Sequence, residues 1–275
     1  MRINQPNTFA DLDALKQLEP ALGGLVDLQR ALLESASETA SPAPLEIPAF
    51  DQLRLWQRQG IPLLSALPVH YDWDAISNQF QQICQICTNY LPERVGEIAA
   101  LERQVEAQPE ALRDEVTAAL RVPSSDQHDE PEEEQELRSF IFLNTLRPFF
   151  QAFAVQLDQD LNDEIWQRGY CPICGGLPDL AYLEDSTRSR RLVCSRCDTT
   201  WRFPRVKCPF CGGAESADLG YYPGPEQKYR LYFCNRCHRY LKTLDTTYVG
   251  ANLVFPVERI LTLSMDLAAQ AAGYA

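Results

Sequence analysis

The sequence predicts an α+β protein: a helical N-terminal domain, then two tandem four-cysteine metal-ribbon units, closed by a C-terminal helix. Three observations carry this reading. Apolar residues recur at helical spacing through most of 8–167, four Cys-x-x-Cys pairs replace that period after Gly169, and an apolar run resumes behind Phe255-Pro256. The corresponding limits are 1–167, 168–206, 207–248 and 249–275. A chain of 275 residues exceeds the usual size of one compact core, so more than one unit is expected.

In the first region Phe9, Leu12, Leu15 and Leu18 share one helical face, and Leu25, Leu28, Leu32 and Leu33 form another behind Gly23-Gly24. Further helices are expected over 51–59, 73–90, 93–107 and 110–121. Pro62, Pro68, Pro92 and Pro109 separate them, since proline lacks the amide a helix interior needs. Residues 123–136 are acidic and contain no aliphatic or aromatic side chain, which reads as a solvated linker. Phe140, Phe142, Leu143, Leu146, Phe149, Phe150 and Phe153 then mark a dense core helix to about Trp166, with a bend at Pro148. Short β-type runs (Leu192-Val193, Arg230 to Phe233) follow. The last helix is expected over 256–272, with proline in its first turn.

Charge is unevenly placed. Residues 1–170 carry 12 Lys and Arg against 28 Asp and Glu, whereas 171–275 carry 13 against 10. A body of net charge −16 argues against nucleic acid as a partner for the whole chain. The basic end, with Arg188, Arg190, Arg191, Arg196, Arg202 and Arg205, is the one part that keeps a zinc-ribbon nucleic-acid binder as an alternative. No run approaches the roughly 20 apolar residues of a membrane span, and the first six residues lack the apolar stretch of a secretory signal. A cytoplasmic location without membrane insertion is therefore expected, where clustered cysteines bind metal more often than they form disulfides.

The cysteines carry the chemistry. Cys171/Cys174, Cys194/Cys197, Cys208/Cys211 and Cys234/Cys237 stand in order, with 19 residues between the first two pairs and 22 between the last two. Each Cys-x-x-Cys turn presents two thiolates from one tight loop, and a second turn facing it completes a tetrahedral shell. Cys171-Pro-Ile-Cys-Gly-Gly176 and Cys208-Pro-Phe-Cys-Gly-Gly213 are near copies, which points to a duplicated unit and favours pairing first with second and third with fourth over a crossed arrangement. Two metal ions are expected. Four thiolates suit zinc, as in zinc ribbons, and iron, as in rubredoxin-like centres, and spacing does not separate them.

The fifth pair, Cys84/Cys87, lies on one face of an expected helix and reads as two buried thiols rather than a redox, sulfur-carrying or metal site. His70 reads as structural, and His238 as a surface residue beside an already filled shell. No Ser/His/Asp set, phosphate-cradling glycine loop or paired-carboxylate motif stands out, so a non-catalytic protein is expected. Trp201, Arg202, Phe203, Arg205, Tyr221, Tyr222 and Tyr240 are candidates for a contact surface near the ribbons.

Several runs resemble the FdhE family of formate dehydrogenase accessory proteins. They are Cys171 to Pro178, Arg191 to Cys197, Thr200-Trp201, Arg205 to Cys208 with Cys211, Tyr232 to Cys237, Tyr240-Leu-Lys242, Leu263 to Leu267 and Gly273-Tyr274. The resemblance is close over 171–274 and general over 1–170. It implies a cytoplasmic maturation factor, or chaperone, that binds the catalytic subunit of formate dehydrogenase, a molybdenum enzyme that is later exported. It also implies that the eight cysteines are metal ligands, with iron and zinc both compatible, and leaves a rubredoxin-like redox role as an alternative. The family's acidic stretch before the last helix is missing from Val249-Gly-Ala-Asn-Leu-Val-Phe-Pro256.

Overall fold

The computed structural model describes residues 8–39, 44–120, 133–224, 227–250 and 252–275. Most of the expected acidic linker lies outside the described residues.

The first half is helical: α1 (Thr8–Leu18), α2 (Gly23–Glu38), α3 (Phe50–Gln59), α4 (Leu63–Ala66), α5 (Trp73–Tyr90), α6 (Val95–Ala107), α7 (Glu110–Ala119) and α8 (Glu133–Leu157). Helix α5 sits at the centre, against α2, α6 and α8. Its start is fixed by Asp72, whose Oδ1 accepts from the Ala75 amide at 2.9 Å. Its buried stripe of Ile76, Phe80, Ile83, Cys84 and Cys87 follows the helical period and meets Phe142, Leu146 and Phe149 of α8 in the main core. Helix α8 runs through Pro148 but stops at Leu157, short of the expected Trp166, where a 3-10 turn over Asp158–Asp160 takes over. Trp166 is still core: it is buried, and its Nε1 donates to the Tyr170 carbonyl at 2.9 Å.

The second half forms one six-stranded sheet from β1 (Pro178–Leu183), β2 (Arg190–Cys194), β3 (Thr200–Arg202), β4 (Leu219–Pro223), β5 (Tyr229–Cys234) and β6 (Arg239–Asp245), in the order β3-β2-β1-β6-β5-β4. Each cysteine unit contributes an antiparallel three-stranded meander. The two join where β1 pairs with β6 in parallel, Leu180 opposite Lys242 through Leu183 opposite Asp245. The tandem ribbons are therefore continuous with one another.

Helices α9 (Thr246–Val249), α10 (Phe255–Leu261) and α11 (Leu263–Ala271) end the chain. The single expected helix is broken at Thr262, whose Oγ1 and amide both donate to the Glu258 carbonyl, at 2.7 and 3.1 Å. The break lets α10 reach back to the start of the molecule, where Val257 and Ile260 pack with Leu12, Leu15 and Val26. Helix α11 stays on the sheet: Asp266 accepts from Tyr240 Oη and Lys242 Nζ, both at 2.7 Å. Residues quoted for the family resemblance in two distant runs thus bond one another.

At the end of β6, Asp245 is buried and receives Arg188 at 2.6 Å through both carboxylate oxygens, with Arg230 at 2.8 Å. The Arg188 hydrogen bond, acting against burial, holds the Asp245 carboxyl down to about 2. Its folded value lies below the ordinary carboxylate value of about 4, so its stabilisation is complete above that pH and is lost as pH falls through about 2. Acid titration of the thermal midpoint is expected to show this loss, and Asp245→Asn to flatten it.

Candidate metal centres

Each Cys-x-x-Cys turn is built on the same hydrogen bonds. The amide after the second cysteine donates back to the carbonyl of the first: Gly175 to Cys171 (3.0 Å), Asp198 to Cys194 (3.2 Å), Gly212 to Cys208 (3.0 Å) and His238 to Cys234 (2.9 Å). All four of these residues have positive φ, between 52° and 77°. Glycine meets that requirement without strain, and Asp and His are among the residues that tolerate it best. His238 therefore holds the turn position that glycine holds in the opening pairs, and it lies outside both four-sulfur clusters. The duplication extends further. The Cys171 amide donates to Gly176 and the Cys208 amide to Gly213, both at 2.8 Å, while Ser195 reaches Leu177 at 3.0 Å and Asn235 reaches Asp218 at 2.8 Å.

These turns meet in sequential pairs. Cys171, Cys174, Cys194 and Cys197 form one cluster, Cys208, Cys211, Cys234 and Cys237 the other, with all sulfurs of a cluster within 4.8 Å of one another. In the first, Cys171 and Cys197 are 3.6 Å apart, and Cys174 lies 3.5 Å from both Cys194 and Cys197. In the second, Cys208 to Cys237 is 3.7 Å and Cys211 to Cys234 is 3.8 Å. Four sulfurs at about 2.3 Å from a tetrahedral ion stand about 3.8 Å apart, so each cluster has the geometry to hold one metal ion. An all-thiol donor set fits zinc or iron.

Thiol electrostatics point the same way. Burial holds Cys171 and Cys197 well above the usual thiol range. Cys194 stands well below it despite burial, because its three cluster partners hydrogen-bond to its sulfur. In the second cluster the Cys237 hydrogen bond brings Cys208 down to about 5 and drives Cys237 up. A bound cation would favour the thiolate form of the cysteines that burial holds up.

The clusters sit in unlike surroundings. The first belongs to the main hydrophobic core, together with α5 and α8. The amides of Leu63 and Leu64, at the start of α4, each donate at 2.9 Å to the carbonyls of Pro172 and Ile173 in its first turn. Its second turn is held by Arg196, which donates to the Ala119 carbonyl, and by two deeply set guanidinium groups. Arg147 of α8 reaches the Ser195 carbonyl (2.6 Å) and Asp198 (3.3 Å), while Arg259 of α10 reaches Asp179 (2.6 Å) and Asp198 (2.7 Å). Gln151 adds a third donor to Asp198 at 2.7 Å. Asp198 thus turns the backbone and gathers the charges.

The second cluster forms a small core of its own with Phe210 and Leu219, and Cys211 is partly exposed. The end of the chain lies against it. Tyr274 donates to Asn235 Oδ1 at 2.8 Å, and the Ala275 amide donates to the His238 carbonyl at 2.7 Å. A chelator added to the metal-loaded chain is therefore expected to withdraw one ion markedly faster than the other. Stopped-flow monitoring with a colorimetric indicator would show two phases, and Cys211→Ser should abolish the fast one.

Other sequence candidates resolve simply. Cys84 and Cys87 are fully buried in α5 and join neither cluster. Burial pushes Cys84 up to about 12 and Cys87 up to about 11, the opposite of a reactive thiol. His70 is exposed, and His128 lies outside the described residues. Trp201 and Phe203 are buried and so leave the expected contact surface, whereas Tyr221 and Tyr222 are half exposed. Arg147 and Arg259 carry no sequence signal of their role, since their partners lie about 50 residues or more away in the chain.

Among the described residues no helix is long and apolar enough to cross a membrane. No protein-family model matches the chain. It is 29% identical over 213 residues to the FdhE homolog of Aquifex aeolicus, covering 74% of this chain and 69% of that one. It is 34% identical over 109 residues to the FdhE homolog of Haemophilus ducreyi, covering 38% of this chain and 35% of that one, so this second match spans about a third of the relative. In fold it is similar to the crystal structure of the FdhE protein from Pseudomonas aeruginosa, with a TM-score of 0.62 at 21% identity over 100% of this chain and 95% of that one.

Proposed function

We propose, on the FdhE family that these similarities support, that the chain is a non-catalytic, cytoplasmic accessory protein that binds the catalytic subunit of formate dehydrogenase and is needed for its maturation. The observation that carries the reading is the pair of tetrahedral four-cysteine clusters on one sheet, in a chain similar to an FdhE homolog over 74% of its length. Cys171, Cys174, Cys194 and Cys197 would hold one iron or zinc ion, and Cys208, Cys211, Cys234 and Cys237 the other. The ions act as staples. They fix turns in segments whose own apolar surface is small, and they leave a rigid sheet edge with Tyr221 and Tyr222 open to a protein partner.

The test is direct titration of the metal-loaded chain with the catalytic subunit of formate dehydrogenase from the same source. Binding at about micromolar affinity or tighter is expected. Absence of binding at tens of micromolar, with both ions present, would remove the reading.

A rubredoxin-like redox role has its own support. The Ile173 and Arg196 amides each lie 3.4 Å from a cluster sulfur, and hydrogen bonds of this kind tune the potential of iron–thiolate centres. Iron with a reversible one-electron couple in protein purified without oxygen would favour it, and two colourless zinc ions would end it.

A further inference from the structure

Beside β2 and β3, away from the cysteine turns, lies a cavity of about 340 Å³ lined by Arg188, Arg190, Arg202, Phe203 and Arg205, with Asp163 as its acidic lining residue. A volume of this size suits a small molecule. The charges on its wall do not balance. Asp163 is already engaged, accepting from Arg191 at 2.6 Å and from the Arg202 amide at 3.1 Å. Arg188 is held by Asp245, which Arg230 shares. Arg202 is half exposed, and its guanidinium group stands 4.0 Å from the Glu184 carboxylate. Arg205 is exposed and has no carboxylate within ion-pair distance among the described residues.

Arg190 is the telling member. It is 3% exposed, it donates only to the main-chain carbonyls of Pro204 and Lys207, and its Nε has no hydrogen-bond partner. A buried guanidinium without a counter-ion is costly, and an unused buried donor adds to the cost. Burial holds this group down to about 10; Tyr232 and the Cys208 sulfur favour its charge, and the charge of Arg205 opposes it.

We propose that this cavity binds a small ligand through a phosphate or pyrophosphate group. The guanidinium groups come from separate points of the chain, the β1–β2 turn, the start of β2, the end of β3 and the loop beyond it. A planar carboxylate offers two oxygens in one plane. A tetrahedral phosphate offers oxygens in several directions and up to two charges per group, which suits donors from several points of the chain and the surplus of positive charge. Phe203, with the Arg190 guanidinium 5.4 Å from its ring centroid, gives the ligand an apolar wall as well.

The test is isothermal titration of the full, metal-loaded chain with sodium pyrophosphate, and separately with citrate, near physiological salt. Pyrophosphate is expected to bind with a Kd on the order of 10–100 µM and citrate at least about tenfold more weakly. The double variant Arg202→Gln/Arg205→Gln should weaken pyrophosphate at least about tenfold, since each lost guanidinium contact to an anion costs about a factor of ten or more. The control Arg103→Gln/Arg113→Gln removes the same charge from exposed helix positions and should bind as the parent does. Absence of pyrophosphate binding at millimolar concentration, citrate binding as tightly, or equal weakening in the control would each overturn the proposal.

Discussion

Cys174→Ser is expected to lose one of two metal ions and to unfold the helical half of the molecule with it. The first cluster is part of the main core, packed with α5 and α8 and joined to α4 by two main-chain hydrogen bonds. A structural zinc site contributes on the order of 10 kcal/mol or more to the fold that makes it, and the whole stability of a domain is about 5–15 kcal/mol. Removing one ligand also leaves three thiols and a hydroxyl in an apolar site. The helical signal in circular dichroism should therefore melt far below the parent, with metal analysis giving one ion per chain. Cys211→Ser is the comparison. It should lose the other ion yet keep the helical melt nearly in place, because the second cluster forms a small core with Phe210 and Leu219 apart from α5 and α8. Equal losses in the two variants would refute the division into a central and a peripheral centre.

Asp198→Asn should cost about 3 kcal/mol although it changes no volume. Asparagine accepts the left-handed backbone of that turn as readily as aspartate does. What it removes is the negative charge shared by Arg147 and Arg259, leaving Asp179 as the remaining acid bonded to this pair of guanidinium groups. Breaking a buried ion pair by taking away one partner costs about 3–5 kcal/mol. For a chain of this size a loss of about 3 kcal/mol lowers the thermal midpoint by about 6–12 °C. Burial already holds Arg147 below its usual range, and the Arg259 charge adds to this. A midpoint within a degree of the parent would show that the pair needs no such acid.

Much of this site was legible because it is local. A Cys-x-x-Cys turn is a self-contained piece of geometry, and the repeated Cys-Pro-x-Cys-Gly-Gly opening indicated both duplication and the sequential pairing of the clusters. The helices of the first half were legible for the same reason: α5 and its buried stripe follow from spacing and from Asp72 at its cap. What escaped was non-local or weakly patterned. The three-residue strand β3 is too short for alternation to show that Trp201 faces inward. The break at Thr262 has no glycine or proline beside it to announce it. The β1–β6 joint, and the acids and guanidinium groups round the first cluster, pair residues that only the finished fold brings together.

That joint also sets an order of assembly. Strand β1 is the middle of the sheet, yet its parallel neighbour is made about 60 residues later, and such distant pairings form slowly. At about 5–20 residues per second, a ribosome leaves β1 without that neighbour for roughly 3–12 s. Helix α10, which closes the small core against α1 and α2, emerges later still. The nascent chain thus carries a complete first ribbon, with the α4, α5 and α8 surface that packs on it already made, well before β6 and α10 complete its surroundings. The four ligands of the first ion are thus all in the chain before the sheet that joins the two ribbons is closed.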